Sequence, residues 1–177
     1  MEFVKPRVVI SKCLGFEPCY YSGQMFNIDF IDKLGKYVDY YPVCPELEIG
    51  LGVPRQTIRI VRNKNENNDL RLFQPKTKKD LTEKMNNFSE EFLKQFDALD
   101  GFIFKERSPS CGPQNVKVYS DIQGQVIHQD GVGFFAQRAN QLFPFTVVEG
   151  DGRLNNLQFR EHFLTKLFTD KIILCKT

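Results

Sequence analysis

Short apolar, β-branched runs alternate along this chain with stretches of helical spacing. Pro6 to Ser11 (Pro-Arg-Val-Val-Ile-Ser) reads as a first buried strand and Val38 to Val43 as a second. Gly101 to Lys105 reads as a central strand and Phe145 to Glu149 as a last short one. Between them Ile28, Ile31 and Leu34 recur at helical spacing, predicting a helix over Asn27 to Tyr37. The clearest helix is Asp80 to Phe96, with Asp80 as its cap and Leu81, Met85, Phe88, Phe92, Leu93 and Phe96 along one stripe. Asp130-Gly131-Val132-Gly133 opens a further helix through about Leu142, and Leu157 to Phe168 is amphipathic. Thr57 to Arg62 with Leu70 to Gln74 is a candidate hairpin turning over Asn63 to Asp69, and Tyr119 to Gln129 is a second. Strands alternating with helices imply an α/β fold, a mainly parallel open sheet with helices on both faces.

Composition narrows the class. The 177 residues suit one domain with a short appendage, the break falling at Glu149-Gly150-Asp151-Gly152-Arg153: residues 1–150, then a linker and tail over 151–177. Apolar residues make up 41%, enough for a sizeable core, and seventeen Phe against no Trp fill it with phenyl rings. A net charge of +2 is too small to argue by itself for a nucleic-acid or membrane partner. No stretch has the length of a membrane-spanning helix and no signal-peptide pattern is present, so the expected compartment is the cytoplasm.

Five cysteines, Cys13, Cys19, Cys44, Cys111 and Cys175, are an odd number without an export signal. That argues for free, metal-bound or catalytic thiols over a disulfide framework. Cys13, Cys44 and Cys111 each fall just past the end of a predicted core strand. Parallel strands share an orientation, so these loops meet at the carboxyl edge, where open α/β sheets place ligands. Cys19 and Cys175 have no such placement, and no fourth Cys or His is expected on this edge, which disfavours structural zinc. Three buried structural cysteines, a redox thiol pair or an iron–sulfur site remain open.

Five motifs then occur in order: Ser11-Lys12-Cys13-Leu14-Gly15, Pro42-Val43-Cys44-Pro45-Glu46, Gly50-Leu51-Gly52-Val53-Pro54-Arg55, Lys105-Glu106-Arg107-Ser108-Pro109-Ser110-Cys111-Gly112 and Asp130-Gly131-Val132. Together they resemble the thiouracil desulfidase family over about Arg7 to Val148. The resemblance implies a 4Fe–4S cluster on Cys13, Cys44 and Cys111, with Glu46 and Ser108 as catalytic residues. The tail from Asp151 looks like the start of a second helical domain, truncated here, that follows this one in proteins resembling 4-thiouridine tRNA desulfidases.

The reaction implied is non-redox replacement of sulfur by oxygen on a thiolated pyrimidine, whether free base, nucleotide or 4-thiouridine in tRNA. Iron left open by three thiolates would polarise the thiocarbonyl, Glu46 would act as base towards water, and Ser108 would orient or relay. Arg55, Lys105 and Arg107 gather on the same edge and could grip a phosphate or base carbonyl, and Ser110 joins them as a binding hydroxyl. The alternative is a non-catalytic iron–sulfur, metal-binding or RNA-interaction module.

Overall fold

A computed structural model describes residues 4–62 and 69–174. In chain order the strands are β1 (Arg7–Ser11), β2 (Asp39–Val43), β3 (Arg59–Arg62), β4 (Leu70–Gln74), β5 (Lys79–Asp80), β6 (Gly101–Phe104), β7 (Val116–Tyr119), β8 (Val126–Gly131) and β9 (Val147–Gly150). The helices are α1 (Asp29–Leu34), α2 (Pro45–Glu48), α3 (Thr82–Leu93), α4 (Phe134–Leu142) and α5 (Leu157–Leu174).

The strands form two sheets. The first is wholly parallel, in the order β2-β1-β6-β9. Its strands lack polar alternation because both faces are covered. Val8 and Ile10 of β1 pack with Ile31, Leu34, Phe163 and Leu167 from α1 and α5, whereas Val9 turns to the opposite face. There Phe102 and Phe104 of β6 meet Met85 and Leu93 of α3 and Phe135 and Ala139 of α4. This is the parallel, doubly covered sheet that the sequence predicts.

The second sheet, β5-β4-β3-β7-β8, is mixed. Both predicted hairpins are in it: β3 and β4 pair antiparallel, as do β7 and β8, and β3 runs parallel to β7 to join them. The first hairpin's turn over residues 63–68 lies outside the described residues, as does Cys175.

Several boundaries shift for local reasons. The helix expected from Asp80 begins at Thr82; Asp80 lies in β5, and its carboxylate accepts the Thr82 N–H at 2.8 Å. The helix expected to open at Asp130 begins at Phe134, because β8 runs on through Asp130 to Gly131, which pairs with Val116 of β7. Along α5, Phe163 and Leu167 are buried in the core under the parallel sheet, so this part of the expected appendage packs on the main body. Among the described residues, no helix is long and apolar enough to cross a membrane.

A candidate sulfur-lined active site

The carboxyl ends of all strands in the parallel sheet carry the site. Ser11 pairs with Val43 and Phe104 with Gly150, so these ends lie level. Cys13 follows β1, Cys44 follows β2, the loop bearing Cys111 follows β6 and Asp151 follows β9. With neighbouring strands about 4.8 Å apart, the three cysteine loops span roughly two strand spacings. The sequence-predicted trio of Cys13, Cys44 and Cys111 is brought to one place, buried and unbridged.

Cys19 joins them, which corrects the expectation that no fourth cysteine shares this edge. Its thiol is in hydrogen-bonding contact with those of Cys13 and Cys44. The chain leaving β1 folds back on itself, with Phe26 N–H donating to the Cys13 carbonyl at 2.8 Å and Gly23 turning at φ 84°. That glycine has the left-handed backbone such a return favours. The signal available in the sequence was this reversal: a cysteine between Pro18 and Gly23, soon after Cys13, must come back beside it.

The thiols crowd one another. Hydrogen bonding to Cys13 is the largest influence on Cys19 and, with burial, pushes it up to about 11, while contact with Cys19 and burial raise Cys44. Burial above all raises Cys111, against the hydroxyls of Ser11 and Ser110, which favour its thiolate. A positive centre among these sulfurs would reverse the balance. No group of three or more His, Cys, Asp or Glu among the described residues is arranged to hold a single metal ion.

Glu46 stands beside the thiols, buried on α2 with Pro45 as that helix's first residue. One carboxylate oxygen accepts Arg55 Nε at 2.7 Å, and the other accepts Ser110 Oγ at 2.7 Å. Ser108 Oγ is 3.5 Å from that second oxygen and 2.9 Å from Ser110 Oγ. Ser108 also accepts the backbone N–H groups of Ser110 and Cys111, so it shapes the turn carrying the thiol. Arg55 reaches further, with Nη1 donating to the Cys19 carbonyl at 3.0 Å and Nη2 lying 3.7 Å from Cys44 Sγ.

The cysteine loop is held from behind by α4. The N–H groups of Phe134, Phe135 and Ala136 donate to the carbonyls of Pro109 and Ser110, and that of Gly133 to Gly112. These first-turn donors are therefore spent on the loop.

The three predicted cationic contacts separate. Arg55 turns inward to Glu46. Lys105 Nζ is 2.5 Å from the Asp151 carboxylate, whose other oxygen accepts the Glu106 N–H. Arg107, in the left-handed region at φ 59°, is exposed at the rim of the cavity. That cavity, about 750 Å³, continues from the thiols to Arg59, Lys117 and Tyr119 of the second sheet. The Arg59 guanidinium lies 4.4 Å from the centre of the Tyr119 ring. The sequence pointed to none of these three residues, because their strands give no sign of facing the other sheet's edge.

Comparison with known proteins follows the geometry. A solved structure of a "[4Fe-4S]-dependent thiouracil desulfidase TudS" superposes with a TM-score of 0.66 over 89% of this chain and 99% of that one, at 23% identity, and shows the shared fold. The "Uncharacterized protein YbbK" of Bacillus subtilis is 31% identical over 110 residues, covering 59% of this chain and 72% of its own. The family described as 2-thiouracil desulfurase matches residues 8–151, most of the chain. The chain therefore belongs to the 2-thiouracil desulfurase family.

Proposed function

We propose that this protein exchanges sulfur for oxygen on a thiolated pyrimidine, using a 4Fe–4S cluster held by Cys13, Cys44 and Cys111. The observation that carries the reading is the convergence of these buried thiols beside one buried carboxylate, Glu46, at the ligand-binding edge of the sheet. The donor set suits the cluster in its chemistry: it is all sulfur and unbridged. Among the described residues no buried side-chain nitrogen or oxygen lacks a partner, so the unspent chemistry of the pocket lies in its thiols. Bound there, the cluster supplies a Lewis-acidic iron, left open by three protein ligands, for the thiocarbonyl sulfur.

The chain's own residues do the rest. Glu46 takes a proton from the attacking water and returns it to the departing sulfur. Arg55 and Ser110 each fix one of its oxygens, which limits the carboxylate to a single orientation. Ser108, in contact with Ser110 and close to Glu46, relays or orients the water.

The cavity also supports a substrate larger than a free base. A thiouracil ring fills roughly 150 Å³ at interior packing density, a fraction of the 750 Å³ present. Arg59 and Lys117 on the second sheet, with Arg107 of the cysteine loop, line the same cavity and match the phosphate of a nucleotide or of 4-thiouridine in tRNA. The unbridged thiols are consistent with a reducing compartment such as the cytoplasm. Turnover of 2-thiouracil, 4-thiouridine monophosphate and thiolated tRNA by anaerobically reconstituted protein tests the reading. Sulfide release that fails with Glu46→Ala is expected; full activity in that variant, with its cluster retained, overturns the role of Glu46.

A further inference from the structure

We propose that Asp151 is a positioning residue of this reaction: it aims the Lys105 ammonium at the exocyclic oxygen that a thiolated pyrimidine keeps while its sulfur is exchanged. The inference rests on the desulfuration reading above and adds a residue that this reading does not use.

Lys105 follows β6 directly and stands at the thiol end of the cavity. Its N–H donates to Ser11 Oγ at 2.9 Å, just before Cys13, and its side chain lines the cavity wall. The ammonium is held between two groups. Asp151 Oδ2 lies 2.5 Å from Nζ, and the centre of the Phe26 ring lies 4.7 Å from it. Phe26 is itself fixed to the site, donating its N–H to the Cys13 carbonyl. An ammonium carries three donors, so the bond to Asp151 leaves others for a ligand. The pair also selects its acceptor. A phosphate would meet the Asp151 carboxylate beside the ammonium and be repelled, whereas a neutral carbonyl oxygen meets a donor without that penalty.

The charge of Asp151 is not needed to close the turn after β9. Its Oδ1 accepts the Glu106 N–H at 2.8 Å, and its own N–H donates to the Phe104 carbonyl at 3.0 Å. The turn has a second tie, Arg153 N–H donating to Glu106 Oε1 at 3.0 Å, and a Cβ at Gly150 or Gly152 would collide with the Glu106 carboxylate. A neutral acceptor at position 151 would serve the backbone equally well. Ion pairs taken out of water often add little stability over apolar neighbours. What this one adds is a fixed direction for an ammonium on the cavity wall.

The test is steady-state turnover of 2-thiouracil by anaerobically reconstituted full-length protein, with rates taken per iron loaded. Wild type is compared with Asp151→Asn, Lys105→Met and the double variant. Asp151→Asn keeps an acceptor for the Glu106 N–H and removes the charge. Each single variant should raise KM about tenfold, with the loss in KM rather than kcat. The double variant should be no worse than Lys105→Met. Pyrimidine-2-thione, which has the thiocarbonyl and lacks the oxygen, should compete weakly with 2-thiouracil, and its inhibition constant should not follow KM. A purely structural Asp151 would instead lower iron loading and the melting midpoint and leave KM alone. Wild-type KM in Asp151→Asn overturns the proposal, as does a double variant worse than Lys105→Met or an inhibition constant that rises with KM. Where Asp151→Asn alone does not load iron, the double variant, free of the unpaired charge, decides by comparison with Lys105→Met. Wild type that loads iron but releases no sulfide from 2-thiouracil overturns the desulfuration reading itself, before any variant is compared.

Discussion

Arg55 Nε donates to Glu46 Oε2 across 2.7 Å, with the two side chains only 5% and 11% exposed. The sequence placed this arginine against the substrate; in the fold it pairs with Glu46. Removing one partner of a buried pair leaves the other charge without compensation, at a cost of about 3–5 kcal/mol. Arg55→Ala is therefore expected to lower the melting midpoint and abolish most desulfuration. Arg55→Lys should recover little, because an ammonium cannot reach Glu46, Cys44 and the Cys19 carbonyl together. Differential scanning calorimetry with a turnover assay reads both effects.

Ser108 and Ser110 should separate by phenotype. Ser110 is buried against Glu46, so Ser110→Ala leaves a carboxylate oxygen short of a donor and should cost about 1–3 kcal/mol of stability along with activity. Ser108 is only partly buried and lies at the cavity wall, so Ser108→Ala should lower kcat by about 10- to 100-fold, with a melting loss from the freed Ser110 and Cys111 N–H groups that stays below that of Ser110→Ala. Equal melting losses in the two variants would contradict this division.

Gly133 is required for space. A Cβ there would stand 2.5 Å from the Ser110 carbonyl oxygen and 2.8 Å from the Gly112 nitrogen, both backbone atoms that cannot swing aside. Gly133→Ala should push the cysteine loop off α4, costing about 1–3 kcal/mol and reducing iron retained after gel filtration. A variant with wild-type iron content and melting midpoint would show that the loop is not held by this contact.

Metal-free protein should lose stability in alkali. Cys19 is raised in the fold from the ordinary thiol value of 9.0 to about 11, with Cys44 and Cys111 also raised. The unfolded chain releases these protons first, so the folded form binds more of them in that window. The stabilisation is complete below pH 9 and is lost as pH rises to about 11. Denaturant midpoints measured from pH 8 to 11 should fall steadily, and a flat profile would contradict the crowding of thiols.

The sequence made the parallel sheet legible because its strands are buried on both faces and read as unbroken apolar runs, such as Val8-Val9-Ile10 and Phe102-Ile103-Phe104. It made Cys13, Cys44 and Cys111 legible because each lies just beyond such a run. It also showed both hairpins, but the parallel pairing of β3 with β7 that merges them is a long-range event with no local signature. For the same reason Arg59 and Tyr119 could not be connected to the cysteines. Asp151 fell in a stretch reading as linker, although it ends the fourth strand of the sheet and holds Lys105. Partners chosen across the fold, as with Arg55 and Glu46 or Lys105 and Asp151, are set by tertiary geometry, and composition alone names only the candidates.

The central claim is that these thiols hold a cubane cluster. Iron and acid-labile sulfide per chain, measured on protein purified and reconstituted without oxygen, test it most directly, with Cys111→Ala alongside. About four of each per chain, lost in the variant, is the predicted result. Absence of both iron and labile sulfide from the reconstituted wild type would contradict the account.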